Sequence, residues 1–173
     1  MPGSRPMLRL ALAAILALAA GSAQARVLVV FHSTTGSWYG KFPHAFVELA
    51  GTLESDGHAV HENYGYTARF VGLEILHHNV EGIIESESDD YVKESNRHFA
   101  VSISDEQYRL IREEIIKWHY APGKAYNLNT HNCVNFVARV AEIIGLKVDV
   151  PAAMEKRPKA WLEYMKTLNP TVK

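Results

Sequence analysis

The segment around residue 133 holds the only cysteine of the chain and constrains its fold most strongly. Thr130 and Asn132 are residue types that cap helix N-termini. An apolar stripe at helical spacing follows them, and Gly145 stands where such a helix would end. Cys133 is therefore predicted in the first turn of a buried helix. The stripe consists of Val134, Phe136, Val137, Val140, Ile143 and Ile144.

The first 25 residues have the composition of a secretory signal peptide. Two arginines precede an apolar run over residues 10–20, and residues 23–25 form a small-x-small cleavage pattern. We expect cleavage after Ala25, which gives a mature domain over residues 26–173 in the periplasm of a bacterium or secreted from it. A membrane anchor is the weaker interpretation, because the apolar run is too short to span a bilayer comfortably.

Charge limits the classes of partner. The chain has a net charge of −1, and removal of Arg5 and Arg9 with the signal peptide leaves −3. No block of basic residues occurs, so nucleic acid is not an expected partner. After residue 25 no apolar run approaches the length of a membrane span, so no stable span is expected once the signal is removed. The mature length suffices for one domain with its own core.

The predicted helix start bears on the chemistry of the thiol. Unpaired backbone N–H groups and the positive end of the helix dipole stabilise a thiolate there, which favours a nucleophilic Cys133. The alternative is a small buried hydrophobic residue, as a lone cysteine usually is. A single cysteine forms no internal disulfide, and an exported free thiol is open to oxidation. These considerations favour the nucleophile.

Five short apolar or alternating runs predict strands, at residues 26–32, 44–49, 58–64, 82–86 and 98–103. Ser104 and Gln107 form a capping box before a helix, and a terminal helix is predicted for residues 159–168. The acid-rich residues 86–96 are predicted as a solvated loop, with a lid over a site as the alternative. The sum predicts an α+β fold in which a small antiparallel sheet packs against helices.

A cysteine nucleophile needs a base within hydrogen-bond reach and a group that orients the base. Of the nine histidines, His44 is well placed because it begins a strand that would face a helix N-terminus. The next strand of the hairpin would bring positions 61–63 close to it, since paired residues share a face. His61, Glu62 and Asn63 are therefore alternative orienting residues, and the register between the strands is open.

Two further features concern ligands. Trp38 and Tyr39 lie in a polar, glycine-bounded stretch and are candidates for the wall of a substrate groove, with packing at the core edge as the alternative. Three histidines, His44, His58 and His61, could instead hold a catalytic zinc ion. No HExxH motif and no Cys/His pair at zinc-finger spacing occurs, so neither a metal nor another cofactor is expected.

Three pieces carry a family likeness: His-Ala-Phe-Val-Glu-Leu from His44, Asp-Gly-His-Ala-Val-His over residues 56–61, and Asn-Cys-Val-Asn-Phe-Val from Asn132. In this order, with histidine before cysteine, they resemble the permuted papain-like group of thiol enzymes. That group includes lecithin retinol acyltransferase-like proteins and NlpC-related peptidases. The resemblance covers roughly residues 44–145 and implies a permuted papain-like fold with Cys133 as nucleophile, His44 as base and His61 as the orienting residue.

The chain departs from that group in two places. The loop between Leu49 and Asp56 looks longer than usual, which keeps Glu62 and Asn63 open as third residues. Val134 and Asn135 stand where the acyltransferases have an acidic residue and a histidine. Both departures weaken any transfer of substrate class from the acyltransferases.

The resulting hypothesis is an exported cysteine hydrolase. Cys133 would form a thioester, and His44 would carry the proton to the leaving group. A periplasmic location favours an amide bond in peptidoglycan or in a peptide. The alternatives are an acyltransferase or thioesterase acting on a lipid, and a non-catalytic binding domain that keeps the papain-like shape.

Overall fold

A computed structural model describes residues 26–36, 42–123 and 125–172 of the chain. The strands are β1 Val27–Thr34, β2 His44–Thr52, β3 Ala59–Ala68, β4 Gly82–Glu85 and β5 Asn96–Ile103. The α-helices are α1 Asp89–Glu94, α2 Asp105–His119, α3 Cys133–Ile143 and α4 Pro158–Leu168, and a short 3-10 helix covers Leu73–Leu76. The expected signal peptide and the groove candidates Trp38 and Tyr39 lie outside the described residues.

The five described strands form one antiparallel sheet in the order β4-β3-β2-β1-β5. β1, β2, β3 and β4 pair in chain order, and β5 returns to the free edge of β1. The prediction of an α+β fold with a small antiparallel sheet packed on helices is confirmed.

One face of the sheet packs against α2, α3 and α4. Alternate residues of the central strands, such as Phe31, Val47 and Leu49, are fully buried in this core together with Phe136 of α3 and Trp161 of α4. Full burial of such a side chain contributes about 1.5–3 kcal/mol. The inner face therefore holds α3, and with it the start of the cysteine helix, against β2.

The outer face of the sheet is crossed by residues 86–95, here called the outer strap. The ring of Tyr91 in α1 lies 5.9 Å from the ring of the fully buried Phe46, and the Ser95 hydroxyl is 2.8 Å from Nδ1 of His32. The prediction of a loop for this acid-rich segment is wrong, because residues 89–94 form a helix whose Tyr91 packs on the sheet, although most of the acids do face water.

α3 begins where the sequence predicts. Asn132 is the N-cap and Cys133 the first helical residue. Oδ1 of Asn132 accepts hydrogen bonds from the Val134 and Asn135 N–H groups at 2.7 and 3.4 Å, and Oδ1 of Asn135 accepts from the Asn132 N–H at 2.9 Å. This reciprocal pair is a capping box. Gly145 follows the helix with a φ of +85°, the left-handed conformation that favours glycine at this position.

The amide of Asn132 also ties this helix start to two other segments. Its Nδ2 donates to the Leu128 carbonyl at 2.8 Å and to the Glu155 carbonyl at 3.1 Å. The side chain is almost wholly buried, so water does not replace these bonds when they are lost. Asn132 thus fixes where α3, and the residue after the cap, stand in the fold.

Replacing Asn132 should therefore destabilise the domain strongly. We expect Asn132→Ala to lower the free energy of unfolding by about 2–4 kcal/mol, because a cap is lost and two partly buried carbonyls lose their donor. Asn132→Asp keeps the capping oxygen and removes the amide donors, so its loss should be intermediate. Urea denaturation measures both, and a change below about 0.5 kcal/mol for the alanine variant would contradict this account.

Candidate active site

The Cys133 thiol lies where α3 meets the beginning of β2. The backbone N–H groups of Ala45, Val134 and Cys133 itself are positioned to hydrogen-bond the sulfur. The residue is only 6% exposed, and burial raises the pKa of its thiol to about 11 although the N–H groups oppose the rise. The expected stabilisation of a thiolate by the helix start is therefore outweighed by burial, and the thiol is protonated at neutral pH.

His44 is the first residue of β2 and precedes Ala45. Its imidazole lies over Gly65 of β3, where an added Cβ would come within 2.2 Å of Nε2. The ring of Phe46 stacks beside it at a centroid distance of 6.2 Å. Within the described structure Nε2 is buried without a hydrogen-bond partner, and burial lowers the pKa of His44 to about 4. The imidazole is therefore neutral at pH 7.

Cys133 and His44 meet at the His44–Ala45 peptide. Successive residues of a strand point to opposite faces, so the imidazole lies on the outer face whereas α3 packs on the inner one. Among the described residues no hydrogen bond joins the thiol to an imidazole. The structure therefore has a neutral thiol and a neutral imidazole on opposite faces of the sheet at this peptide.

The structure does not bring His61 to His44. Phe46 pairs with Gly65 and Ala50 pairs with His61, so His61 lies six residues along the hairpin from His44, or about 20 Å. Its side chain is 73% exposed, with Asp89 at 3.5 Å. The expectation that positions 61–63 lie opposite His44 is wrong, because β2 continues to Thr52 rather than ending at Leu49, so that these positions pair with residues 48–50 instead.

The other two candidates for the third residue have separate partners. Glu62 forms an ion pair with Arg112 at 2.7 Å and accepts a hydrogen bond from Tyr108, which directs it toward α2. Asn63 shares the outer face with His44, but its amide bonds the backbone of Glu87. Neither contacts His44 in the described structure. The carboxylate that does approach His44 is that of Glu87, at 3.9 Å from Nε2.

A cavity of about 230 Å³ opens beside His44 at this end of the sheet. Two of its lining residues, Tyr91 and Tyr126, lie close to the thiol. Burial raises the pKa of both phenols, and the charge of a Cys133 thiolate raises it further. Cys133 is not among the described lining residues. The lining comprises Phe42, Pro43, His44, Thr67, Ala68, Val71, Ile75, Glu85, Glu87, Tyr91 and Tyr126.

Sequence reasoning did not name Glu87, Tyr91 or Tyr126 as site residues. The acid-rich run that contains Glu87 and Tyr91 carried a signal, since a lid was one interpretation of it. Tyr126 lies seven residues before Cys133, and nothing in its local pattern distinguishes it from a core aromatic. The alternative of a zinc site at His44, His58 and His61 finds no support, because no potential metal-binding cluster occurs among the described residues.

Comparison with known proteins shows a similar fold in one solved structure. No protein-family model matches the chain, and no curated protein matches its sequence. The crystal structure of the type VI secretion system effector TseH is similar, with a TM-score of 0.57 and 15% sequence identity over 84% of this chain and 90% of TseH. At this identity the likeness shows the fold alone. The five-stranded antiparallel sheet and helices are consistent with a small papain-like domain. Within the described residues no helix has the length and hydrophobicity needed to cross a membrane.

The reactivity of the thiol tests the resting arrangement. Alkylation of native Cys133 by iodoacetamide should be slow at pH 7 and accelerate about tenfold per pH unit up to about pH 11, since only the thiolate reacts and burial keeps its fraction small. Mass spectrometry of timed samples gives the rates, and the denatured protein provides the control with an ordinary thiol. A rate that stays constant below pH 7 would show a preformed thiolate–imidazolium pair instead.

The position of the His44 imidazole over Gly65 can be tested by substitution of that glycine. Gly65→Ala places a methyl group 2.2 Å from Nε2 of His44, so the ring must move toward solvent. We expect the pKa of His44 to rise from about 4 toward its usual 6.5, and stability to fall by about 1–3 kcal/mol. Gly72→Ala is the matched control, because its methyl group meets nothing within 4 Å. An unchanged NMR titration of His44 in Gly65→Ala would refute this placement.

Proposed function

We propose that the chain is an exported papain-like thiol hydrolase that cleaves an amide bond, with Cys133 as nucleophile and His44 as base. The observation that supports this best is the junction at the His44–Ala45 peptide. A cysteine at the capped start of a helix lies with its sulfur near the Ala45 N–H, and the residue preceding Ala45 is a histidine that lines a cavity. The fold likeness to TseH is compatible with this proposal.

In the proposed reaction the substrate carbonyl carbon bonds to Sγ of Cys133 while the thiol proton moves to His44. The backbone N–H of Cys133, at the helix start, donates to the oxyanion. When the intermediate collapses, the C–N bond breaks and His44 returns the proton to the leaving amine, which leaves a thioester. Water then attacks the thioester and gives its proton to His44. The C–S bond breaks, the proton returns to sulfur and the carboxylic acid departs.

The proposed substrate is a peptide, either from peptidoglycan or from a protein. This choice rests on the expected export by residues 1–25, which would bring the enzyme to the cell wall or outside the cell. A lipid ester is the competing substrate of the same chemistry. Two exposed apolar side chains that line the cavity, Phe42 and Val71, favour that competitor.

A non-catalytic binding domain is the second candidate function. It is favoured by the burial of Cys133, by the pKa of about 11 for its thiol and by the lack of a hydrogen bond between thiol and imidazole among the described residues. In that case the cavity beside His44 would bind a peptidoglycan fragment without cleaving it.

Turnover of defined substrates separates these functions. Cys133→Ser and His44→Gln should each lower the hydrolysis of peptidoglycan peptides at least 100-fold, because one removes the nucleophile and the other the base. His61→Gln should retain activity, since His61 is far from the site and exposed. Mass spectrometry of quenched reactions should detect the acyl group on the peptide that contains Cys133.

The opposite outcomes are equally specific. Hydrolysis of lipid esters but not of peptides would reassign the substrate and keep the catalytic residues. Absence of turnover on both classes, with equal binding of peptidoglycan fragments by wild type and Cys133→Ser, would identify a binding domain.

A further inference from the structure

Nε2 of His44 is a buried nitrogen with one carboxylate nearby. The side chain of His44 is 12% exposed, and Nε2 has no hydrogen-bond partner in the described structure. Oε1 of Glu87 lies 3.9 Å away, within ion-pair range but beyond the 3.2 Å or so of a hydrogen bond. A buried polar nitrogen left without a bond costs about 1–3 kcal/mol, so a small approach of Glu87 is favourable.

Glu87 is held over the sheet by its main chain. Asn63 of β3 donates from Nδ2 to the Glu87 carbonyl at 2.9 Å and accepts the Glu87 N–H on Oδ1 at 2.6 Å. The preceding residue adds a third bond, from the Ser86 hydroxyl to the Asn63 carbonyl at 2.8 Å. Asn63 and Gly65 share the outer face, and the imidazole lies over Gly65. This clamp places the Glu87 side chain beside His44.

The neighbouring acids do not replace Glu87. Asp89 pairs with the exposed His61 at 3.5 Å. Glu85 lines the same cavity as His44, yet among the described residues it forms no ion pair with that histidine. The carboxylate of Glu87 is itself largely buried, at 17% exposure, so solvent screens its effect on His44 less than at an open surface.

We infer that Glu87 is the positioning residue of the site: its carboxylate accepts a hydrogen bond from Nε2–H of His44 and leaves Nδ1 unprotonated for the proton of the Cys133 thiol. The catalytic consequence rests on the proposed function, whereas the contact itself does not. A neutral imidazole carries one N–H, so a partner at one nitrogen decides which nitrogen is the base. Glu87 thereby selects the tautomer of His44.

The tautomer can be measured in the wild-type protein without any substrate. Long-range 1H–15N NMR spectra at pH 7 distinguish a protonated Nε2 from a protonated Nδ1. We expect His44 to carry its proton on Nε2. A proton on Nδ1 in the wild type would overturn the inference, whatever the variants do.

Variants then test the cause. In Glu87→Ala the tautomers of His44 should mix, and kcat should fall on the order of 100-fold with KM changed less than about twofold. Glu87→Gln keeps an acceptor oxygen, so it should retain the wild-type tautomer and lose less activity. Asn63→Ala removes the two hydrogen bonds that hold the main chain of Glu87, so it should shift the tautomer in the same direction as Glu87→Ala. Glu85→Ala, on the same cavity, is the matched control and should leave the tautomer unchanged.

Failure of this inference is distinguishable from failure of the proposed function. An unaltered tautomer in Glu87→Ala would show that Glu87 does not select the tautomer of His44, even if the protein hydrolyses peptides. The expected tautomer changes without turnover of any substrate would keep the Glu87–His44 contact and overturn the hydrolase.

Discussion

The buried amide of Asn132 is the interaction on which the site depends. It caps α3 through its oxygen and joins the Leu128 and Glu155 carbonyls through its nitrogen, so that one side chain fixes three segments. The next residue is Cys133, and the position of its sulfur against the Ala45 N–H follows from this cap. This helix end is held firmly, because each polar group of the buried capping side chain has a hydrogen-bond partner.

Burial raises the pKa of the Cys133 thiol, whereas the helix start lowers it, and the larger of the two effects decides whether the thiol is protonated. Favourable interaction of a charge with a helix terminus contributes about 0.3–1 kcal/mol, and up to about 2 kcal/mol when partly buried. The rise of the thiol pKa of Cys133 from 9.0 to about 11 corresponds to a net effect of about 3 kcal/mol against the thiolate. Desolvation therefore exceeds the combined effect of the dipole and the nearby N–H groups. A helix N-terminus therefore does not activate a thiol that is as deeply buried as Cys133.

The sequence patterns predicted correctly those features that interactions between residues near in sequence determine. The cap at Asn132, the capping box at Ser104 and the strand that begins at His44 all follow from side-chain chemistry within a few residues, and the structure confirms them. The register of β2 on β3 is different, because it depends on how far β2 continues toward the turn before the chain reverses. A shift of a few residues there moved His61 away from His44. The roles of Cys133 and His44 remain predictions.

The outer strap escaped prediction for another reason. Its composition is that of a solvated loop, and its acids do face water for the most part. What holds it to the sheet is the bonding of Asn63 to main-chain atoms of Glu87, together with the packing of Tyr91 on Phe46. Main-chain bonds leave no trace in sequence composition, and one aromatic residue among acids gives no periodic pattern.

A neutral resting site also accounts for how a lone thiol persists if the chain is exported as expected. Oxidation proceeds through the thiolate. With a pKa of about 11, the thiolate fraction of Cys133 at pH 7 is on the order of one in 10,000, about a hundredfold below that of a thiol with the usual pKa of 9.0. Burial thus protects the sulfur in an oxidising compartment. In the proposed hydrolase, the same burial means that reactivity would have to arise on substrate binding, through completion of a proton path from the thiol to His44.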